Sequence, residues 1–391
     1  MRYLTAGESH GKALVGIMEG LPANITVDTE AITHQLQRRK QGYGRGRRMQ
    51  IETDAIEILS GVRHGLTLGS PIGVLLPNRD WKNWQNIMQP EPATEDIKRK
   101  VFIPRPGHAD LVGAVKYNYH DLRNSLERAS ARETAMRVAL SCFCRQFLAQ
   151  LDIHIASRVV RIGAASDDSP LAHAVEQLNA AVDTSPVRVQ NPEAERAMIA
   201  AIDEAKAEGD SLGGIFEVYA SGLPVGLGSY SQWDRRLDTR IGAVFLGMNA
   251  IKGVELGLGF EAARVKGSLA HDEMLPGKKE APLDVNYATN RAGGIAAGVS
   301  TGQHLVVRVA KKPIATLMKP LQSVDARTGE ASKAHIERSD TCAVPAAAVI
   351  GEALMALTLS EFVLEKFGGD SLEEVRERLD HWRDTATRRS L

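Results

Sequence analysis

Cysteine is scarce in this 391-residue chain, which contains Cys142, Cys144 and Cys342 and no others. Three thiols cannot form the dense disulfide framework of a small secreted protein. Cys142 and Cys144 lie two positions apart, closer than the CxxC spacing of a metal or redox motif. We therefore predict reduced cysteines that pack in the interior of a cytosolic protein.

The chain also has no net charge, few aromatic residues and no long apolar run. The chain has 48 basic and 48 acidic residues, and aromatic residues make up 5% of it. Proteins whose main task is to grip a nucleic-acid backbone are usually basic, and single strands bind to aromatic platforms. There is no run of about 18 apolar residues to span a membrane, and the first residues lack a signal peptide's apolar centre. We expect a cytoplasmic protein that binds neither nucleic acid nor membrane.

The succession of predicted elements indicates an α+β fold, a sandwich of antiparallel or mixed sheets with helices. Asp28 or Thr29 caps a helix that Gly42 ends, and Ser130 with Glu133 forms the capping box of another. Residues 56–75 are predicted to form two short strands. Residues 151–213 are predicted to be peripheral, and residues 366–391 to form a C-terminal helical extension. The tripeptide GLP occurs at residues 20 and 222, which indicates either two related halves or a coincidence.

One short stretch is strongly basic although the chain as a whole is neutral. Residues 38–48, RRKQGYGRGRR, carry six positive charges and no acid. Such tracts are typical of nucleic-acid patches, but arginine forks also bind small phosphorylated molecules. Both interpretations stay open on this stretch alone.

Two histidines lie in glycine-containing loops, His10 in GESHG and His108 in RPGHAD. Each is either a solvated loop residue or a proton donor. No HExxH motif or third ligand at a diagnostic spacing accompanies them, so a pair of proton donors fits better than a metal site.

Further polar residues are placed where an anion could bind. Arg128, Ser130 and Arg132 open a predicted helix, whose N-terminus attracts negative charge; the alternative is an ordinary cap. Lys312 and the residues after it end a predicted strand. Asp340 precedes an apolar helix, where it is either a site residue or an ordinary cap. Glycines and alanines at 292–302 could form a flat wall, but GxGxxG is absent and a Rossmann fold is not indicated.

Eight motifs in order give the chain a specific resemblance. They are GESHG, RRxxGYGRGxRM, ILSGVRxG, RPGHADLxGxxKY, RASARET, GGIxxGxSTGQ, KPIAT and ERSDxCAVPAAAVIGEA, from residue 3 to about residue 365. In this order they resemble the chorismate synthase family.

The resemblance implies a single domain over residues 1–391 and a homotetramer. Members of this family convert 5-enolpyruvylshikimate 3-phosphate to chorismate and phosphate, the last common step of the shikimate pathway to aromatic amino acids. The reaction is an anti-1,4-elimination that needs reduced FMN without net redox change. An external flavin reductase is the expected source of reduced flavin, and NADPH would act only indirectly, through flavin reduction.

The resemblance also assigns roles to residues. His10 would protonate or stabilise the leaving phosphate, His108 would keep the flavin's protonation state correct, and Asp340 would help flavin N5 collect the substrate proton, with Ser9 as a relay. The implied anion-binding residues are Arg39, Arg45, Arg48, Arg105 and Arg132. The implied flavin-binding residues are Arg128, Ala129, Ser130, Asn249, Ala250, Ala297, Lys312, Pro313, Ile314, Ala315, Thr316 and Arg338.

Two other classes of function remain as alternatives. A flavin- or nicotinamide-dependent oxidoreductase would also need anion sites for its cofactor. An RNA-binding protein would use residues 38–48 as its contact surface. Within that run, the division between ligand-binding and solvated residues stays open, and a solvated face is the alternative for Arg38, Lys40 and Arg47.

Overall fold

A computed structural model describes residues 1–46, 53–93, 97–277, 285–337 and 339–386. Arg48 and Arg338, two of the residues expected to bind ligands, lie outside the described residues, as does Arg47. In the described ranges the chain forms both long helices and antiparallel strands. The α+β fold class predicted from the sequence is confirmed.

The strands are β1 (Arg2–Ala6), β2 (Ala13–Glu19), β3 (Ala23–Thr26), β4 (Glu57–Ser60), β5 (Val62–Arg63), β6 (Leu66–Leu68), β7 (Ile72–Pro77), β8 (His154–Ile162), β9 (Ala165–Ser166), β10 (Gly214–Ser221), β11 (Ile251–Leu256), β12 (Met274–Pro276), β13 (Val285–Tyr287), β14 (Ile295–Ala296), β15 (Val299–Ser300), β16 (Leu305–Lys311), β17 (Gln322–Val324) and β18 (Ala331–Lys333). The helices are α1 (Thr29–Lys40), α2 (Gln85–Met88), α3 (Asp110–Tyr117), α4 (Arg123–Arg128), α5 (Thr134–Ala149), α6 (Val175–Val182), α7 (Pro192–Glu208), α8 (Leu237–Leu246), α9 (Gly267–Ala270), α10 (Val344–Phe367) and α11 (Leu372–Ala386).

Two antiparallel sheets enclose a layer of helices. One sheet has the strand order β1-β2-β7-β4, and the other has the order β11-β16-β10-β8-β9. Helix α5 packs against β2 of the first sheet, and α10 packs against β8 and β10 of the second, while α1, α5 and α10 contact one another. The largest apolar core therefore runs through the helical layer and includes Leu14, Phe143 and Phe216.

The first sheet lies very close to α5. A Cβ added at Gly16 of β2 would come within 2.6 Å of the Met136 sulfur. Since interiors are close-packed, any larger residue at this position would have to displace the side chains of Met136 and Leu140.

Local signals placed several helix ends correctly. Asp28 caps α1 by accepting from the backbone N–H groups of Glu30 and Ala31. Ser371 accepts from the N–H of Glu374 at the start of α11, which is part of the predicted C-terminal extension. The capping box was wrong, because a 3-10 turn at Ala131–Glu133 separates Ser130 from α5.

The expected peripheral position of residues 151–213 was also wrong. Strand β8 lies between β10 and β9, and Val159 and Ile162 are fully buried. Helix α10 packs on one face of this sheet and α6 on the other, so β8 is buried along almost its whole length although four of its nine residues are polar. In addition, residues 56–75 form parts of four strands rather than two, because Gly61, Gly65 and Gly69 adopt positive φ at successive turns.

Helix α10 is, in the part of the chain that is described, the one helix long and apolar enough to cross a membrane. Of its most apolar 18-residue window, 89% is buried inside the protein. It is the central helix of the core. The three cysteines are buried and unpaired as predicted, and burial raises the pKa of Cys142 and Cys144 to about 12.

A buried cluster of charged residues joins α10 to its neighbours. Glu352 of α10 accepts from Arg38 of α1 at 2.9 and 3.0 Å and from Arg145 of α5 at 2.6 Å. Arg188 also contacts Glu352, at 3.2 Å, and Asp183 pairs with Arg38 at 2.6 Å. Burial opposes ionisation of Glu352, but the arginines outweigh it and hold the pKa of that carboxyl well below its usual range. Arg38 is therefore a core residue, which rules out the solvated-face alternative for this position.

We expect Glu352→Ala to lower the free energy of unfolding by about 3–5 kcal/mol, because two buried guanidinium groups and a half-buried one lose their shared partner. Urea denaturation at a fixed protein concentration measures the effect. Glu365→Ala, on the same helix, removes an exposed pair with Arg235 and should cost at most about 1 kcal/mol. Equal losses in the two variants would contradict the structural role of the cluster.

Candidate active site

A cavity of about 1120 Å³ lies where several elements of the fold end. Its walls come from the β1–β2 turn, the loop after α1, the loop before α3, the segment leading into α5, the residues after β16 and the first turns of α10. Seven lysine or arginine residues and three acidic residues are among the described residues that line it. The excess of positive charge favours a ligand with several negative charges.

His10 lies in the turn between β1 and β2 and is held on three sides. Its Nδ1 lies 2.9 Å from both oxygens of Glu127, and its backbone N–H donates to Glu127 Oε2 at 2.8 Å. Its ring stacks on Trp84, with 3.8 Å between the ring centroids. Burial opposes ionisation of Glu127, but His10 and Arg123 outweigh it and lower the pKa of the carboxyl group. These contacts leave the Nε2 edge of His10 as the one without a hydrogen bond to any described residue.

His108 lies in the loop before α3 and has a comparable partner. Its Nδ1 lies 2.5 Å from Oδ1 of Asp110, a fully buried carboxylate. Arg105 donates to Asp110 through Nε at 2.8 Å and to the Thr316 hydroxyl through Nη1 at 2.8 Å. Burial opposes ionisation of Asp110, but His108 and Arg105 outweigh it and depress its pKa. Arg105 thus ties the loop of His108 to the wall that follows β16.

The glycine-rich loop after α1 brings Arg45 to the cavity. Arg45 Nη1 lies 2.8 Å from Asp340 Oδ2, and the N–H of Gly46 donates to Asp340 Oδ1 at 2.6 Å. Gly44 has φ +84°, and a Cβ there would lie 2.9 Å from Ile202 and 3.1 Å from the backbone nitrogen of Cys342. The glycine therefore lets the loop pass between α7 and the segment that leads into α10.

Arg39 and Arg132 share a buried carboxylate. Asp54 accepts from Arg132 Nη1 at 2.5 Å and lies 3.7 Å from Arg39 Nη1. Arg39 also donates to the Thr134 hydroxyl and the Ala131 carbonyl, but its buried Nη1 makes no hydrogen bond to the described residues. Burial lowers the pKa of Arg39 to about 9, and Asp54 offsets this only in part. An incoming anion would stabilise this under-compensated guanidinium.

Ser9 and Ser130 link the two sides of the cavity near His10. The Ser130 hydroxyl donates to Ser9 Oγ at 3.1 Å and accepts from the N–H of Arg132 at 3.3 Å. Both serines line the cavity, and Ser9 is almost completely buried.

The opposite wall follows α8 and β16. Asn249 donates to the Ala129 carbonyl at 3.0 Å, while its buried Oδ1 accepts no hydrogen bond from the residues described here. Ala250 adopts φ +67°, and its carbonyl accepts from the N–H of Lys312 at 2.9 Å. Lys311 is also buried in this wall, and burial lowers its pKa. The free carbonyl oxygen of Asn249 needs an N–H or O–H donor from a ligand or a water molecule.

The cavity brings together most of the residues that the sequence indicated. The lining includes Ser9, His10, Arg39, Arg45, Arg105, His108, Ala129, Ser130, Arg132, Asn249, Ala250, Lys312, Pro313, Ile314, Ala315, Thr316 and Asp340. Two of the expected flavin-binding residues are not part of this lining. Arg128 donates to the backbone carbonyls of Thr5 and Gly7, and Ala297 is exposed in the turn between β14 and β15. Their roles, and those of all the other site residues, stay predictions.

Several partners of these residues were missed by the sequence analysis. Glu127 follows His10 by 117 positions, and Asp54 precedes Arg132 by 78. Trp84 and Lys311 were also missed. Only Lys311 carried a local signal, because it precedes Lys312 at the end of an alternating strand. The other contacts depend on the tertiary fold.

The fold and the site define a class: an α+β protein with a cationic cavity that contains two histidine–carboxylate pairs. A family model described as chorismate synthase matches residues 1–364. The chorismate synthases of Bacillus subtilis and of Geobacillus sp. strain WCH70 are each 51% identical to this chain, over 387 and 385 residues and 98% of both sequences. A solved structure titled as a crystal structure of chorismate synthase has a TM-score of 0.80 and 42% identity, covering 99% of this chain and 98% of its own.

The chain belongs to the chorismate synthase family. It is therefore an enzyme of the lyase class, in the shikimate pathway of aromatic biosynthesis.

We expect Asp54→Asn to make the protein less stable but more responsive to inorganic phosphate. Loss of the charge removes the buried carboxylate that Arg39 and Arg132 share, at a cost of about 3–5 kcal/mol. A bound anion would then stabilise them more than in the unaltered protein, because stabilisation grows with the ligand's affinity for the folded state. Thermal unfolding at increasing phosphate concentration measures both effects.

Asp183→Asn provides the matched control for this experiment. Asp183 also pairs with two arginines, Arg38 and Arg188, but neither of these lines the cavity, whereas both partners of Asp54 do. This variant should lose stability without a larger response to phosphate. The same phosphate response in Asp54→Asn and in the unaltered protein would disprove the anion-site interpretation.

Proposed function

We propose that this chain catalyses the anti-1,4-elimination of phosphate from 5-enolpyruvylshikimate 3-phosphate, yielding chorismate and phosphate, with reduced FMN bound and no net redox change. The observation that carries the proposal is the pair of carboxylate-bound histidines in one cationic cavity. Membership of the chorismate synthase family supports it. The proposal describes a single catalytic domain over residues 1–391.

The charges of the proposed ligands match those of the cavity. The substrate carries one phosphate and two carboxylates, and FMN carries another phosphate. Arginine binds such groups through paired N–H donors. In the proposal, Arg39 and Arg45 bind the substrate's anionic groups together with Arg48, while Arg105 and Arg132 shape the site through their contacts to Asp110 and Asp54. Arg39 Nη1 is the buried donor best suited to an added anionic oxygen.

The residues of the opposite wall fit a flavin. Asn249 Oδ1 is a buried acceptor that suits the ring N–H of an isoalloxazine. Ala129, Ser130, Ala250 and the segment 312–316 would surround the ring and its side chain, with Arg338 as a further partner. Reduced FMN, when bound, supplies an electron-rich ring that stabilises positive or radical character in the substrate ring.

The proposed steps depend on the chain's own proton-carrying groups. His10 protonates or stabilises the phosphate as it leaves, because its Nε2 edge is the one not occupied by Glu127. His108 holds a proton near the flavin, in a loop fixed by Arg105 and Asp110. Asp340, with Ser9, assists removal of the ring proton, and its oxygens already accept from Arg45 and the backbone of Gly46.

We expect His10→Ala and His108→Ala each to fold but to lose about 10²–10⁴-fold in kcat, the range for loss of one positioned proton donor. Steady-state rates at saturating reduced FMN measure the loss, and the thermal unfolding temperature serves as the check on folding. Near-normal rates in both variants would exclude the catalytic roles given to these histidines.

An anaerobic assay with 5-enolpyruvylshikimate 3-phosphate and chemically reduced FMN tests the function itself. We expect chorismate and phosphate in equal amounts, with many turnovers per reduced flavin. One oxidised cofactor per product would indicate an oxidoreductase instead. The absence of product would overturn the proposal.

The proposal includes an external flavin reductase, so that NADPH contributes only through flavin reduction, and a cytoplasmic location. The relatives described above are bacterial enzymes, and the apolar helix α10 is buried in the core. Adding NADPH and oxidised FMN without a reductase should give no chorismate.

A homotetramer is also part of the proposal, and the first sheet offers a surface for it. Leu4 and Ile17 are cross-strand partners on its outer face, with 75% and 51% exposure, and Leu59 on the edge strand is 61% exposed. A water-facing antiparallel sheet normally presents polar residues there. A second copy of the same face would bury these side chains by two-fold symmetry.

We expect the double variant Leu4→Lys, Ile17→Lys to form smaller assemblies than the unaltered protein, because charged side chains would be buried at the contact. Light scattering after size-exclusion chromatography measures the mass. Phe260→Lys, which changes a residue with 74% exposure elsewhere on the chain, should leave four chains together. A four-chain mass for the double variant would show that the sheet face is not the interface.

A further inference from the structure

Each cavity histidine contacts a buried carboxylate that also binds an arginine. Glu127, which is 1% exposed, accepts from Arg123 Nη1 at 3.0 Å while both its oxygens lie 2.9 Å from His10 Nδ1. Asp110, which is fully buried, accepts from Arg105 while its Oδ1 lies 2.5 Å from His108 Nδ1. The two clusters come from different loops, yet they present the same arrangement to one cavity.

The hydrogen bonds around each carboxylate identify it as the ionised acceptor. Glu127 receives the backbone N–H of His10 and the guanidinium of Arg123. Asp110 receives three N–H groups of Arg105: the backbone N–H, Nε and Nη2. The lowered pKa of both carboxyl groups agrees with this. An ionised carboxylate has no proton to donate, so the proton in the Glu127–His10 contact belongs to Nδ1. Arg105 Nη2 also lies 3.0 Å from His108 Nδ1, a contact that favours an unprotonated Nδ1. An unprotonated Nδ1 would, however, face the Asp110 carboxylate lone pairs at only 2.5 Å, so the shorter contact assigns the proton to Nδ1 of His108 as well.

We propose that Glu127 and Asp110 are positioning residues that fix the Nδ1–H tautomer of His10 and His108, so that each ring presents Nε2 to the ligand. In the neutral state Nε2 then accepts a proton, and in the charged state it donates one. The use of Nε2 in turnover rests on the proposed function; the tautomer itself does not.

The packing around His10 restricts the alternative ring orientation. Trp84 stacks on the imidazole, and its own Nε1 donates to Asp80 Oδ2 at 3.0 Å. Arg99 and Arg123 lie over the indole ring, at 4.6 and 5.2 Å from its centre. A flip of the imidazole within this stack would remove Nδ1 from Glu127 and leave the buried carboxylate one donor short.

The arginine on each carboxylate keeps that group available as an acceptor. Arg123 also donates to the backbone carbonyl of Arg99 at 2.7 Å and contacts Glu337 at 3.4 Å. It is therefore held in place independently of His10. Arg105 is held by Thr316 in the same way. In Glu127→Gln these supports remain, and the amide presents an N–H group beside Nδ1 whichever way it is turned.

Histidine-labelled protein tests the inference directly. The ring-nitrogen signals of [¹⁵N]histidine distinguish the two neutral tautomers, and His10→Gln and His108→Gln assign them. We expect Nδ1–H for both histidines in the unaltered protein and a shift of His10 to Nε2–H in Glu127→Gln. Asp110→Asn should do the same for His108. We expect kcat to fall by about 10²–10⁴-fold with KM little changed, since a wrong tautomer impairs chemistry more than binding.

Glu133→Gln is the matched control. Glu133 is buried and pairs with Arg137 one helical turn away, as Glu127 pairs with Arg123, but no described hydrogen bond or ion pair joins it to His10 or His108. This variant should keep both tautomers and most of the activity. If Glu133→Gln lost as much kcat as Glu127→Gln, the effect of Glu127 would be explained by structural support alone, without a role in positioning His10.

The outcomes separate this inference from the proposed function. Nε2–H at His10 or His108 in the unaltered protein would overturn the inference. This measurement does not depend on whether the variants fold. The expected tautomers together with unchanged kcat in Glu127→Gln and Asp110→Asn would overturn the positioning role. The expected tautomers in a protein that makes no chorismate would leave the assigned tautomers standing and refute the proposed function.

Discussion

A guanidinium group buried in a protein needs a carboxylate or another anion beside it, since an isolated charge is costly in a poorly polarisable interior. This requirement organises the structure. Glu352 gathers Arg38, Arg145 and Arg188 between the two sheets, and so links α1, α5 and α10. The same pairing recurs at the cavity, where Asp54 serves two arginines. The difference is one of position: the arginines of the core cluster lie outside the cavity and pair with Glu352 and Asp183, whereas the cavity keeps Arg39 Nη1 for a ligand.

Helix α1 connects these two environments. Arg38 and Arg39 are successive residues, and successive side chains on a helix point about 100° apart. One therefore contacts Glu352 and the other lines the cavity. Because Arg38 holds the end of the helix against α10, it also determines where Arg39 and the glycine loop after it lie. The stability of the core and the geometry of the site are coupled through this helix end.

Local features of the fold could be predicted from the sequence, and so could the residues that meet in the cavity. The Asp28 cap, the alternation in β16 and the two histidine loops depend on neighbours within a few positions. The partners of the charged residues could not be predicted, because Glu352 lies 314 positions from Arg38 and Glu127 lies 117 positions from His10. For the same reason the role of Arg38 stayed open, since nothing in the local sequence distinguishes it from Arg39. Strand β8 was misjudged because an Asp- and Ser-rich turn follows it.

The positions of the acidic residues explain how a chain with zero net charge can hold the concentrated positive charge of residues 38–48. Asp54, Asp110 and Glu127 lie behind the cavity wall and contact the arginines and histidines that face inward. They stabilise the positive wall in the absence of a ligand without occupying its inner surface. An extended polyanion would find this charge recessed in a cavity of about 1120 Å³, whereas a small molecule with several anionic groups can reach it from within. Concentrated local charge in a neutral protein thus selects for a small ligand rather than a nucleic-acid backbone.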